Sequence, residues 1–177
     1  MGVLIYPEYP MSLSMSQASL PVFIRMLRNL RGILEKGAAH AEAKKMDASA
    51  LTTARLFPDM FPLTRQVQIA TDSAKGCAAR LAGVEIPKFE DTEQTFADLL
   101  ARVDKTIAFI KTIKPEQVDG SEEREVVLQM RAGPLEFKGQ AYLTHFVLPN
   151  FFFHITTAYN LLRHNGVELG KADFIGK

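Results

Sequence analysis

Residues 149–166 read PNFFFHITTAYNLLRHNG. Phe151, Phe152, Phe153, Ile155, Tyr159, Leu161 and Leu162 surround nearly the whole circumference of a helix. A helix that is apolar on all sides must be buried on more than one of them. Gly166 is a natural C-terminal cap, and Arg163 and His164 sit at the negative end of the helix dipole. The pattern therefore predicts a helix that starts near Val147 or Pro149 and ends at His164. Its apolar surface exceeds what one bundle core can use, which predicts a homodimer contact through this helix. The question it raises is chemical: His154 stands among the phenylalanines.

Three further helices precede it. The first runs from about Leu20 to Lys44, with Ser19 as N-cap and Pro21 in the first turn. Phe23, Leu27, Leu30, Leu34 and Ala41 make its apolar stripe, and Gly32 and Gly37 mark a bend or a close helix contact. Pro58 and Pro62 break the chain in LFPDMFPL. The second helix, Pro62 to Ala82, buries Leu63, Val67, Ala70, Ala74, Cys77 and Leu81, and Gly83 stops it. The third begins after Asp91, with Gln94 in a capping-box position, and ends near Thr112. EVVLQM and LEFKG flank RAGP as a small hairpin. The expected fold is all-α: a four-helix bundle with a β-hairpin between the third and fourth helices, residues 16–177 forming one domain behind a loosely ordered extension, 1–15.

Composition narrows the function. With 177 residues, 47% of them hydrophobic, there is enough apolar material for one sizeable core. Lys and Arg total 21 against 20 Asp and Glu, and they are scattered, so no nucleic-acid partner is expected. The N-terminal stretch lacks the order of a signal peptide, and the longest apolar stretch is interrupted by Pro149, Asn150, His154 and two threonines, so no membrane partner is expected either. A single cysteine, Cys77, excludes an intrachain disulfide and suits the cytoplasm. Phosphate loops, nucleophile elbows, zinc-protease helices and EF-hand loops are absent from the sequence.

Asn150 and His154 are four residues apart and share one helix face. With a polar group from the second helix they would converge inside the bundle. Gln66 and Gln68 are the nearest candidates there, Gln66 closer to the apolar stripe; His40 and Tyr159 complete the candidate pocket. The competing reading makes His154 a satisfied core histidine and Asn150 a local cap. Asp72 and Lys75 read as solvated residues, and His145 as part of a turn.

HITTAYNLLRHNG resembles the last helix of the DinB/YfiT-like superfamily. On that pattern His154 takes the second histidine position, Arg163 and Gly166 fall into register, and Asn150 stands where the first histidine would be. The longer stretches FPLTRQVQIATDSAKGCAARLAGVEIP and LPNFFFHITTAYNLLRHNGVELGKADF resemble a family of domains of unknown function grouped with the DinB-like bundles. The resemblance implies a DinB-like bundle, commonly dimeric, holding a divalent metal with one histidine from the second helix and two from the fourth. This chain departs from that triad twice, at Asn150 and in a second helix without histidine. One imidazole with amide oxygens holds zinc or nickel only weakly, so His154 and Asn150 form at most a degenerate metal site. Two functional classes follow: a dimeric small-molecule-binding or interaction module, or a metal-dependent transferase, isomerase or hydrolase using His154 with Asn150 and Gln66.

Overall fold

The structure, a computed structural model, describes residues 12–130 and 133–176. In chain order its elements are α1 (Met15–Ala43), α2 (Ser49–Thr52), α3 (Leu63–Ala82), α4 (Phe96–Thr112), α5 (Pro115–Val118), β1 (Glu125–Met130) and β2 (Gly133–Lys138). There follow α6 (Gly139–Ala141), a π-helical segment (Tyr142–Val147), α7 (Leu148–His164) and α8 (Lys171–Ile175). The four long helices make the bundle: α1 packs on α4, and α3 packs on both α4 and α7. Phe23 of α1 meets Phe151 of α7 edge to face, 5.1 Å between ring centroids, and both are fully buried. Each side chain of that size contributes roughly 1.5–3 kcal/mol by leaving water.

The second helix lies where the sequence puts it and so does the hairpin, except that β2 begins at Gly133, so Gly133 and Pro134 belong to the ladder; three helix starts differ for identifiable reasons. The α1 N-cap is Ser14, which forms a reciprocal capping box with Gln17. Ser19 is instead buried one turn in, donating to the Met15 carbonyl at 2.6 Å, and Pro21 lies inside the helix. The α4 cap is Thr95 with Asp98 rather than Asp91 with Gln94, because the Asp91 carboxylate is engaged by Arg65 and Arg102. Before α7 the chain is already helical from Gly139. Pro149 has no N–H to offer the His145 carbonyl and its ring crowds that carbonyl, a conflict that a widened turn relieves. His145 is therefore an exposed residue of the π segment, not of a turn.

The β1–β2 register runs from Glu125 opposite Lys138 to Met130 opposite Gly133. Val126 and Leu128 are buried and Val127 is exposed, the alternation expected of a sheet with one covered face. Phe137 joins the hairpin to the π segment, 5.9 Å from Tyr142 and 5.4 Å from Phe146. Gly37 of α1 admits α4 and α7 closely: a Cβ there would meet the Phe96 ring at 3.0 Å and Leu162 at 3.1 Å. Of the expected N-terminal extension, residues 1–11 lie outside the described residues.

Much of α7's apolar surface is covered by its own chain. Phe151, Ile155, Leu161 and Leu162 enter the core, and Tyr159 packs on Phe174 of α8 at 6.1 Å. Phe153 remains the large apolar side chain that α7 leaves in solvent.

Candidate functional site

The seam between α3 and α7 carries the polar groups that the sequence singled out. Gln66 and His154 are both buried there and joined by a 2.6 Å contact between Gln66 Oε1 and His154 Nδ1. Gln66 Nε2 donates to the Phe61 carbonyl at 3.0 Å, which settles the orientation of the amide. Its oxygen must then accept from His154, so the imidazole carries its proton on Nδ1 and a lone pair on Nε2. Nε2 has no protein partner among the described residues and is not among the sealed polar atoms, so it opens to solvent. Burial, helped by the nearby positive charge of Arg65, pushes the His154 pKa down to about 4. The ring is neutral at neutral pH.

Asn150 stands one turn before His154 but bonds elsewhere, its Nδ2 donating to Ser73 Oγ at 2.8 Å. The seam is thus two pairs, His154 with Gln66 and Asn150 with Ser73, rather than a convergent triad. Three expected pocket residues lie apart from it. Gln68 faces the α3–α4 connection, donating to Glu93 at 2.9 Å and accepting from Arg65 at 3.1 Å. His40 sits near the end of α1 against the turn after α7, its ring 3.8 Å from where a Gly166 Cβ would be. Tyr159 points to the C-terminal segment, its hydroxyl 3.5 Å from the Leu169 carbonyl.

The opposite flank of α3 holds a charged cluster that sequence reasoning missed. Arg102 of α4 is buried and reaches Thr71 (2.8 Å), Glu93 (2.9 Å), Asp72 (3.0 Å) and Asp91 (3.0 Å). Lys75, read from sequence as solvated, is buried with its ammonium 2.8 Å from Asp72 and 4.0 Å from the centroid of the Phe89 ring. The signal for Arg102 was its spacing. It lies three residues after Leu99 and four before Thr106, on the buried side of α4, where an unpaired charge does not persist.

A scan against family models matches residues 15–175 to a domain of unknown function, DUF1993. The chain belongs to the DUF1993 family. Among solved structures it is similar to a DinB family member protein from Shewanella denitrificans, with 37% identity, 90% of each chain covered and a TM-score of 0.83. No curated protein matches. The DUF1993 chain therefore has a DinB-like fold, in accord with the resemblance of its last helix. Among its described residues no helix is long and apolar enough to cross a membrane.

The divalent metal implied by DinB-like relatives does not fit the side chains present. No group of three or more His, Cys, Asp or Glu is placed to hold an ion among the described residues. The two amides nearest His154 are already committed, Gln66 to the imidazole and Asn150 to Ser73. Cys77 offers no thiolate: it is buried, and desolvation pushes its pKa far up.

Proposed function

We propose that this DUF1993 protein is a small-molecule-binding module of the cytoplasm, with the α3–α7 seam as its binding face and the neutral His154 Nε2 as a hydrogen-bond acceptor for the ligand. The observation that carries this reading is the chain from the Phe61 carbonyl through Gln66 to His154, which selects one tautomer and leaves one lone pair unspent. A general base works best with a pKa near the working pH. At about 4, the imidazole is about three units too weak a base for neutral pH, yet remains a good acceptor. A transferase, isomerase or hydrolase using His154 with Asn150 and Gln66 would need the three to converge on one point. Gln66 has its oxygen on the imidazole and its nitrogen on the Phe61 carbonyl, while Asn150 is turned to Ser73, so neither amide is left to orient a substrate beside His154.

A homodimer contact through α7 belongs to the same proposal, and exposed phenylalanines favour it. Phe153 and Phe61, 56% and 53% exposed, flank the His154–Gln66 pair, with the Phe153 ring 5.2 Å from the imidazole. A thermal-shift screen of chemically diverse compounds tests the binding reading, because a ligand specific to the native state raises its melting temperature. At least one compound is expected to do so, with the shift lost in His154→Phe. A screen without a hit, or hits indifferent to residue 154, overturns it. Sizing chromatography tests the pairing: 19.7 kDa marks a monomer and about twice that a dimer. Phe153→Glu is expected to give the monomer.

A further inference from the structure

Next to the seam, α3 turns another set of side chains toward the hairpin and the π segment. Ser73, Arg80 and Tyr142 line a groove of about 280 Å3 whose apolar walls include Ile69, Leu128 and Phe146. Arg80 Nη1 donates to the Tyr142 hydroxyl oxygen at 3.0 Å, and the guanidinium carbon lies 5.9 Å from the centre of that ring. Gly76, one turn earlier, makes the room: a Cβ there would lie 2.6 Å from Nη1. The guanidinium is thus held back along α3 instead of extending into water. Among the described residues no carboxylate pairs with it.

Two hydroxyl protons are also unspent. The Tyr142 oxygen accepts from Arg80 and the Ser73 oxygen accepts from Asn150, so each O–H is left to donate. Burial pushes the Tyr142 pKa up to about 12, so the phenol keeps its proton at any ordinary pH. Asp72 also lines the groove, but its Oδ1 is held by Lys75 at 2.8 Å and Arg102 at 3.0 Å. Arg65, also in the lining, is paired with Asp91, so among the described residues Arg80 is the groove's guanidinium without a carboxylate partner.

We propose that this groove binds a small monocarboxylate with an apolar body, its carboxylate held by Arg80 with the Tyr142 and Ser73 hydroxyls and its body against Ile69, Leu128 and Phe146. A planar guanidinium matches a planar carboxylate, and the Arg80 charge balances one negative charge. A phosphate dianion would need a second cation; Arg65 in the lining is paired with Asp91, and nearby Lys75 and Arg102 are engaged by Asp72. The volume is just under the usual range of roughly 300–1,000 Å3 for ligand pockets, which selects a small acid. The groove adjoins the seam at Ser73 without including His154, so this inference goes beyond the seam reading.

Isothermal titration of the full chain with benzoate and hexanoate, against benzamide and inorganic phosphate, tests it. At least one of the acids is expected to bind, and benzamide and phosphate at least about tenfold more weakly. Arg80→Gln and Tyr142→Phe are each expected to weaken the acid by about tenfold or more, and Gly76→Ala to act in the same direction by displacing the guanidinium. Should Arg80→Gln not fold, Tyr142→Phe, which keeps the ring and removes only the hydroxyl, carries the test. No binding of either acid at millimolar concentration, a preference for phosphate, or binding indifferent to these substitutions overturns the carboxylate assignment. In each of those cases a screen hit lost in His154→Phe would leave the seam reading standing; acid binding lost in Tyr142→Phe but kept in His154→Phe would instead leave the groove standing without the seam.

Discussion

Two flanks of α3 bury polar groups in opposite ways. Toward α7 the contacts are neutral and pairwise: Gln66 with His154, Ser73 with Asn150. Toward α4 they are ionic and shared, with Arg102 at the centre of Thr71, Asp72, Asp91 and Glu93. The ionic flank ties residues of the α3–α4 connection, Phe89, Asp91 and Glu93, onto the bundle, and most of its donors and acceptors are consumed in doing so. The neutral flank leaves the Nε2 lone pair and the Ser73 proton free. Unspent hydrogen-bonding capacity at a solvent opening is what a binding face needs, whereas buried ion pairs gathered on one guanidinium specify structure.

Removing Arg102 should break this contrast most severely. Glu93, with a side chain only 11% exposed, would be left without its main counter-charge, while Asp72 and Asp91, each 40% exposed, could recover some hydration. Arg102→Met is expected to destabilise the fold by about 3 kcal/mol, at the lower end of the range for a broken buried pair. Urea unfolding would measure it. Arg102→Lys should recover only part, since an ammonium cannot reproduce the guanidinium fork.

The neutral flank should respond differently to single and paired changes. His154→Ala strands the Gln66 oxygen and opens a cavity, at a cost of about 2–3 kcal/mol. Replacing both partners with apolar residues, as in His154→Phe with Gln66→Leu, should cost well under the sum of the singles, because no polar group is then stranded. A double-mutant cycle in urea reads the coupling. Additive single effects would mean that the 2.6 Å contact has no energetic weight.

Acid sharpens the same distinction. The folded His154 pKa of about 4 lies below the ordinary imidazole value of 6.5, so between those pH values the unfolded chain binds the extra proton. Stability therefore rises with pH through that window: the penalty of charging the buried ring is absent above about pH 6.5 and complete below about pH 4. The loss should be roughly 2 kcal/mol after allowance for residual hydration. His154→Phe should flatten the slope between pH 6 and 4.5. Asp98, held below the usual carboxylate range by the Thr95 backbone N–H, adds its loss only at lower pH.

The stripes of α1, α3 and α4 were legible in the sequence because apolar periodicity reports directly on which side of an element meets the core. The end of α3 was legible through Gly83, and Gln66 through its position beside the α3 stripe. What stayed hidden depends on groups far apart in the chain. Asp91 looked like a cap until Arg65 and Arg102 engaged it, and Lys75 looked solvated until Phe89 folded over it. His40 and Tyr159 were placed by helix angle alone, which gives a direction but not a height along the bundle. His40 lies instead against Gly166 after α7, and Tyr159 turns to Leu169 and Phe174.

The smallest effect should come from Phe89, and its size separates two accounts of the α3–α4 connection. Lys75 and Lys105 place their ammonium groups 4.0 and 4.1 Å from the ring centroid, and the Arg102 guanidinium carbon lies 5.9 Å away. If Arg102 and its carboxylates hold the connection, Phe89→Leu keeps the apolar contact, forfeits only the attraction of cations to the ring, and costs about 1 kcal/mol. If the ring itself is the anchor, the loss should approach that of Arg102→Met and the two substitutions should not add. Measuring both, singly and together, assigns the anchor. The hydrogen bonds that Arg102 makes to Glu93 and Thr71, which no ring contact replaces, favour the first outcome.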